Sequence, residues 1–434
     1  MAIIQHKYIF SWKNFENIGD LERFKLLIKF LPDEKLMRKL ESKRKKGRND
    51  YPVRAIWNSL LASVVYQHQS IESLRRELWR NPSLMEICGF ELHKFCTAIP
   101  SANAYTNFLK NLYNHSELLD EMFELLVSKI SSCIDGFGKT LAIDSKAIQS
   151  LSRYKSKKDT TDNRRDIDGD YGIKTKFTAK GQEKLFRWFG YKLHLIVDAD
   201  TELPLSYSLT KASSHDGAVA KELFDNPKVA EKLKDAEYLL ADRGYDDKAI
   251  TEKLQCEHNV KPIIDIRNCH KNKQLLSPVK GYRNVFYTYR GDVCCRCKKS
   301  GEYRDMVYVG YEKNRDSLKY RCPADNYGLC CQSYLDCPVN NSLRIKLSDN
   351  PRVFTALPRN TLKWSRIYNK RSSVERCFAR IDRDFGFEKH YIRGMDKMKT
   401  RCLISLIIML AIAYGRAKEG EIEHIRSLTY SKTA

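Results

Sequence analysis

Residues 140–146 read TLAIDSK, and residues 238–245 read YLLADRGY. Each is a short apolar run that stops at an acid, the pattern of a strand buried on both faces with a carboxylate at its end. The flanking segments extend the pattern. FGYKLHLIV at 189–197 and LPLSYSL at 203–209 read as paired strands. A helix is expected over 217–233, ahead of the second acid-terminated run, with another helix and a strand at 260–266 behind it. Three strands, then helix, strand, helix and strand, describe an α/β layer around a mixed central sheet. The polar, basic stretch at 153–187 reads as a long exposed loop. A long helix is expected from Ser365 through Ile381, with Val374, Cys377, Phe378 and Ile381 as its buried stripe.

Upstream the texture is helical. Val53, Ile56, Trp57, Leu60, Leu61 and Val64 recur at helical spacing behind a basic run of Lys43, Arg44, Lys45, Lys46 and Arg48. A second helix covers 71–78, where RRELWR supplies a basic face, and Ser101 is placed to cap a third. Short helices with basic faces suit a helix-turn-helix-like DNA-binding region, and equally a packing region with solvated Lys and Arg. The expected division is a helical region at 1–135, an α/β core at 136–270, a cysteine-rich insertion at 271–350, and the rest of the core, largely helical, at 351–434.

A chain of 434 residues with 42% apolar residues can bury a large core. Its 77 Lys and Arg against 54 Asp and Glu give a net charge of +23, which favours a polyanionic partner. The most apolar stretch, 402–414, falls short of the roughly 20 residues a membrane span needs. The first fifteen residues lack the apolar core of a secretory signal, so a cytoplasmic, nucleoid-associated protein with reduced thiols is expected and no membrane partner.

The acids carry the chemistry. Asp144 and Asp242 end two core strands, and Glu375 lies on a later helix packed on the same sheet. Three carboxylates gathered at one sheet end suit Mg²⁺ or Mn²⁺, and two such ions about 3.5–4 Å apart can clamp the attacking and leaving oxygens at phosphorus. Each acid also has a plainer use. Asp144 could cap a turn, Asp242 precedes a turn at Arg243 and Gly244, and Ser372 with Glu375 fits a capping box. Asp166, Asp168 and Asp170 have the spacing of a calcium loop, but its terminal ligand position would fall on Phe177, which rules it out.

Taken in order, LAIDSK at 141–146, ADRGY at 241–245 and YNKRSSVE at 368–375 resemble the bacterial insertion-sequence transposases with a DDE active site on an RNase H-like fold. FGYKLH at 189–194 and LTKASSHD at 209–216 are also similar to that family, and 51–108 resembles its helical N-terminal domain. The resemblance implies a catalytic triad of Asp144, Asp242 and Glu375 holding two Mg²⁺ or Mn²⁺ ions. It implies binding to terminal inverted repeats in double-stranded DNA, cleavage and strand transfer to a target, and a homodimer on paired ends. The family often carries a Lys seven residues after the Glu, against the DNA backbone; here that position is Asp382, and Arg383 is expected to take over. A nuclease that stops at hydrolysis, and an inactive transposase repurposed to bind DNA, are the rival readings.

Supporting roles follow from position. Tyr368 and Arg371 lie about one turn before Glu375 and are expected to hold a phosphate, while Arg243 and Tyr245 follow Asp242 towards the scissile bond. Lys192 and His194 share one face of a strand, expected either to face the DNA or, for His194, to be a bonded core histidine. Seven of the 14 cysteines crowd between 294 and 337. In a reducing compartment they read as a structural Zn²⁺ site, with Cys294, Cys297, Cys322 and Cys337 as preferred ligands and Cys330 or Cys331 as substitutes, or else as free thiols. Basic and aromatic residues interleave from Tyr282 to Trp364, so this segment too is expected to touch DNA.

Overall fold

The computed structural model describes residues 20–44, 51–152, 165–177, 183–268, 276–339 and 341–429. Lys45, Lys46 and Arg48 of the basic run, residues 153–164 and 178–182 of the expected loop and the first nineteen residues lie outside them.

The chain opens with α1 (Asp20–Phe30), α2 (Glu34–Ser42), α3 (Val53–Val65), α4 (Ile71–Arg80), α5 (Pro82–Cys88), α6 (Phe95–Ala98), α7 (Ala102–Tyr113) and α8 (Ser116–Ser131). Side-chain caps start three of them: Ser70 accepts from the Ser73 amide, Asn81 from the Leu84 amide and Ser101 from the Ala104 amide. In α3 the predicted stripe is buried, and the Trp57 indole donates to Asp33 at 2.8 Å.

The central sheet holds β1 (Thr140–Gln149), β2 (Asp170–Phe177), β3 (Glu183–Asp198), β4 (Pro204–Lys211), β5 (Tyr238–Ala241) and β6 (Lys261–Ile264), in the order β2-β3-β1-β5-β6, with β4 also on β3. It is mixed: β1 runs antiparallel to β3 and parallel to β5, and β5 parallel to β6. At 16 residues, β3 serves two partners on one edge, β2 along 183–190 and β4 along 191–197. At the change of partner Gly190 takes φ +148°, where a Cβ would collide with the Ile148 carbonyl oxygen. The expected loop at 153–187 is therefore corrected. Its second half is β2 and the start of β3, whose alternation of Tyr171, Ile173 and Thr175 with polar residues was masked by the density of lysines.

Between β4 and β5 lie α9 (Asp216–Asp225) and α10 (Pro227–Lys234), where one helix was expected. Pro227 cannot continue a helix, and Asn226 caps the second one by accepting from the Lys228 amide. After β5 comes α11 (Lys248–Glu252).

Residues 277–346 build two small sheets: β7 (Ser277–Pro278), β8 (Val285–Tyr287), β9 (Val293–Arg296) and β10 (Tyr303–Asp305) in one, β11 (Val307–Glu312), β12 (Ser317–Arg321) and β13 (Ser342–Lys346) in the other. The short α12 (Pro323–Tyr327) separates β12 from β13. They enclose a core of their own, with Val285, Val293, Leu318, Tyr320, Leu343, Ile345 and Phe354 buried.

The expected long helix at 365–381 is two, α13 (Leu362–Asn369) and α14 (Ser372–Phe385), with the break at Lys370 and Arg371. The chain closes with α15 (Met395–Lys418), long and apolar enough by length and composition to cross a membrane. Of its apolar window, 83% is buried inside the protein, against α1, α3, α7, α8 and β4. The N-terminal helices, the central sheet and α15 share one continuous hydrophobic core.

Candidate active site

β1 and β5 are parallel neighbours, with Thr140 opposite Tyr238 and Ala142 opposite Leu240. Carrying that register two places on sets Asp144 beside Asp242, on backbones roughly 4.8 Å apart. Asp242 opens a 3₁₀ turn, Arg243–Tyr245, and its carboxylate accepts from the Gly244 amide at 2.6 Å. A Cβ on residue 244 would stand 2.7 Å from that same oxygen, so a larger residue there would displace the Asp242 carboxylate.

Burial pushes the Asp144 carboxyl up to about 6. Lys174 and Arg371 pull against this, while the neighbouring Asp242 adds to it. Asp144 is thus a carboxylate short of positive charge, next to a second one. That donor set, hard oxygen beside hard oxygen, is what a divalent cation neutralises.

α14 packs on β1 and β3 and brings Glu375 to the same cavity as Asp144, an open space of about 640 Å³. The Glu375 carboxylate, about half exposed, accepts from Arg371 at 2.8 Å. Its capping-box use is not made: Ser372 donates to the Asn369 carbonyl instead. Among the described residues, no group of three or more His, Cys, Asp or Glu is arranged to hold a metal ion. Asp144 and Asp242 are brought side by side; Glu375 lines the cavity with Asp144 while engaged with Arg371, and Asp242 is not among the residues lining it.

Sequence reasoning gave no role to Lys146, Glu388, Lys174 or Phe186, which line this cavity. Lys146, two places after Asp144 and so on its face of β1, pairs with Asp382 and Glu388, the latter at 2.6 Å. Burial works against its charge, but the two carboxylates prevail and hold the ammonium above its ordinary value. Asp382 is itself shifted up by burial. Lys174, from β2, lines the cavity opposite, with Phe186 beside it. The two-residue period of a strand could have found Lys146; Lys174 was hidden in the stretch read as loop.

The expected DNA contacts divide. Arg243 is largely exposed and pairs with Asp265; Tyr368 stacks on Trp364 at 4.5 Å with the Arg371 guanidinium 5.8 Å from its ring. Tyr245 is corrected: the 3₁₀ turn points its ring inward, where it is 1% exposed and cannot reach DNA. Lys192 and His194 pair with Ala147 and Ser145, on the sheet face opposite Asp144. His194 is bonded to Thr210 at 2.9 Å, and burial lowers it to about 4, so it is a neutral core histidine. Lys192 is spent on the Ser214 carbonyl at 2.8 Å and on Asp216 at 3.0 Å. Arg383 does not line the cavity; it pairs with Asp384 at 2.6 Å, and the cation beside Asp382 is Lys146.

In the small sheets, Cys295, Cys297, Cys322, Cys331 and Cys337 line one pocket. Cys294 is not among them, because successive residues of β9 point to opposite faces; Cys330 is exposed. Ser300 donates its amide to the Cys297 sulfur at 3.4 Å, and Asn284 donates to Cys337 at 3.3 Å. Hydrogen bonds from Ser300 and Ser333 lower the Cys297 thiol to about 6.

Residues 135–411 match the family model described as the transposase DDE domain, and residues 13–111 match that of a transposase domain (DUF772). Among solved structures, the cryo-EM structure of a piggyBac transposase synaptic complex with hairpin DNA is similar at 12% identity and a TM-score of 0.39, over 96% of this chain and 80% of that one. No curated protein matches.

Proposed function

The chain belongs to the transposase DDE domain family and is an insertion-sequence DDE transposase, and from that premise we propose that Asp144, Asp242 and Glu375 are its catalytic triad for DNA cleavage and strand transfer. The observation that carries this is the register setting Asp144 beside Asp242, with Glu375 on the same cavity. An RNase H-like core is supported by the order β4-β3-β1-β5-β6, with three antiparallel strands followed by two parallel to β1.

Enzymes of this family generally use divalent metal. Asp144 and Asp242 fit the first contacts of Mg²⁺ or Mn²⁺, and Glu375 completes the set once Arg371 releases it. When bound, a pair of such ions activates the attacking hydroxyl and stabilises the leaving oxygen at phosphorus. The chain's own part is positional. Lys174 and Arg371 flank the acids with positive charge suited to a phosphate, and Arg243 and Tyr368 lie on the Asp242 side of it. Asp144 must give up its proton before it can serve, so metal binding competes with a proton that burial holds on this carboxyl.

The helical region at 1–135 is assigned to the terminal inverted repeats, 136–270 with 351–434 to catalysis, and 271–350 to a cysteine-rich insertion. The working form is a homodimer on two ends of double-stranded DNA, cytoplasmic and nucleoid-associated. The thiol pocket supports a structural Zn²⁺, soft thiolates stapling a small core, with Cys295 in place of Cys294. As they stand the thiols are not gathered on one point, so side-chain rotation would have to close the site.

The test is cleavage of labelled terminal-repeat DNA and joining to a supercoiled target, in Mn²⁺, by Asp144→Asn, Asp242→Asn and Glu375→Gln. Each is expected to abolish both steps while DNA binding in a gel-shift assay persists. Full activity in any one removes that residue from the triad. Cleavage without joining by the natural chain makes it an endonuclease.

A further inference from the structure

The turn that carries Asp242 is clasped from outside. Asp246, four residues on and almost fully buried, receives both ends of the Arg352 guanidinium, at 3.0 and 2.6 Å. Arg352 comes from the segment that returns from the small cysteine-rich sheets, and it also donates to the Arg267 carbonyl at 2.7 Å. Arg267, just past β6, donates its amide to Asp246 at 2.7 Å and its guanidinium to the carbonyls of Arg243 and Gly244, at 2.7 and 3.0 Å. Gly244 in turn donates to the Asp242 carboxylate. Behind these, buried Arg359 ties the Ile264, Val353 and Arg352 carbonyls together.

We propose that Arg352 is a positioning residue, acting through Asp246, Arg267 and Gly244 to fix the Asp242 carboxylate, so that the fold of the cysteine-rich sheets is coupled to the active site. The proposal rests on the reading of Asp242 as catalytic. A bidentate pair whose acid is buried has two features that matter here. Its planar fork fixes orientation as well as distance, and removing one member leaves the other charge buried and unpaired. The contacts form an unbroken chain of hydrogen bonds from Arg352 to Asp242, anchored at the buried Asp246 carboxylate and completed by the exposed links of Arg267. Arg352 is spent on Asp246 and on the Arg267 carbonyl, so the effect is expected in the chemical step and not in DNA affinity.

The experiment uses the full chain and four variants: Arg352→Ala, Arg352→Lys, Asp246→Asn and Asp242→Asn. Hydrogen exchange at residues 242–247 and the Mn²⁺ dependence of cleavage are measured, with gel shifts on terminal-repeat DNA and melting curves alongside. Arg352→Ala is expected to speed exchange in the turn, raise the Mn²⁺ needed for half-maximal rate, and slow cleavage by roughly 10- to 100-fold, the size expected of a misplaced catalytic group. DNA affinity should not change. Arg352→Lys keeps the charge but not the fork, and should recover only part of the rate. Should Arg352→Ala fail to fold, Asp246→Asn, which keeps the shape of the pair, takes its place and should show the same direction of change. If melting falls while exchange in the turn and the Mn²⁺ dependence stay unchanged, Arg352 is only structural and the proposal is overturned. Asp242→Asn separates the two failures: if it leaves cleavage intact, the triad reading falls and the coupling proposal with it, whereas loss of cleavage in Asp242→Asn with an unaffected Arg352→Ala sinks the coupling alone.

Discussion

Arg371 donates to Glu375 across a single turn at the start of α14, and at 2.8 Å this pair occupies the one acid of the three that the structure leaves apart from its partners. A pair at this spacing on a partly exposed helix is worth only about 0.3–0.5 kcal/mol, so a phosphate offered to Arg371 and a cation offered to Glu375 would dissolve it. Removing Arg371 should therefore have opposite effects on two ligands. Arg371→Ala is expected to bind Mn²⁺ more tightly than the natural chain without DNA, by calorimetry, and to bind terminal-repeat DNA more weakly. Weaker Mn²⁺ binding would mean that Arg371 supports the acid and does not sequester it.

Asp144 gives a pH prediction with a definite sign. Its folded-state value of about 6 lies above the ordinary carboxylate range, chiefly through burial. Between pH 4 and 6 the folded protein holds a proton that the unfolded chain has lost, so the contribution of Asp144 to stability falls as pH rises through that window. The metal-free Asp144→Asn variant should melt higher than the natural chain at pH 7, by an amount on the order of 1–3 kcal/mol, and the gap should close by pH 4. Parallel melting curves across that range would refute the shift.

The pair of Lys146 with Asp382 predicts a loss that a second mutation repairs. Lys146→Met leaves Asp382 without its cation in a partly buried place and should cost about 1–3 kcal/mol in urea denaturation. Adding Asp382→Leu should restore most of it, since an apolar pair avoids the stranded charge. If the double variant is no better than the single one, Lys146 stabilises through Glu388 alone.

For the thiol pocket the prediction concerns which sulfur matters. Elemental analysis of purified protein should find zinc near one equivalent per chain. Cys295→Ser should lose it and Cys294→Ser keep it, since these neighbours face opposite sides of β9. Zinc retained in Cys295→Ser and lost in Cys294→Ser would reverse the assignment.

These cases also mark how far the sequence could be read. Apolar runs ending at Asp144 and Asp242 were legible as strands because both faces of each are buried, and the spacing from Tyr368 to Glu375 located the third acid. Lys174 was not legible, because a strand flanked by lysines carries the composition of a loop. Cys294 was chosen by its distance from Cys297, but spacing says nothing of which way a strand's side chains alternate. Tyr245 depends on a turn held by a contact over a hundred residues away, Arg352 on Asp246. The break between α9 and α10 is legible in the sequence itself, where Asn226 and Pro227 end one helix and start the next.

α15 is apolar on nearly every side, and the helices that precede the sheet cover part of it. The chain therefore cannot be trimmed at residue 136 to yield a free-standing catalytic fragment. Such a fragment would present an uncovered greasy rod to water and clump, and any use of this enzyme as a building block must carry α1 to α8 along.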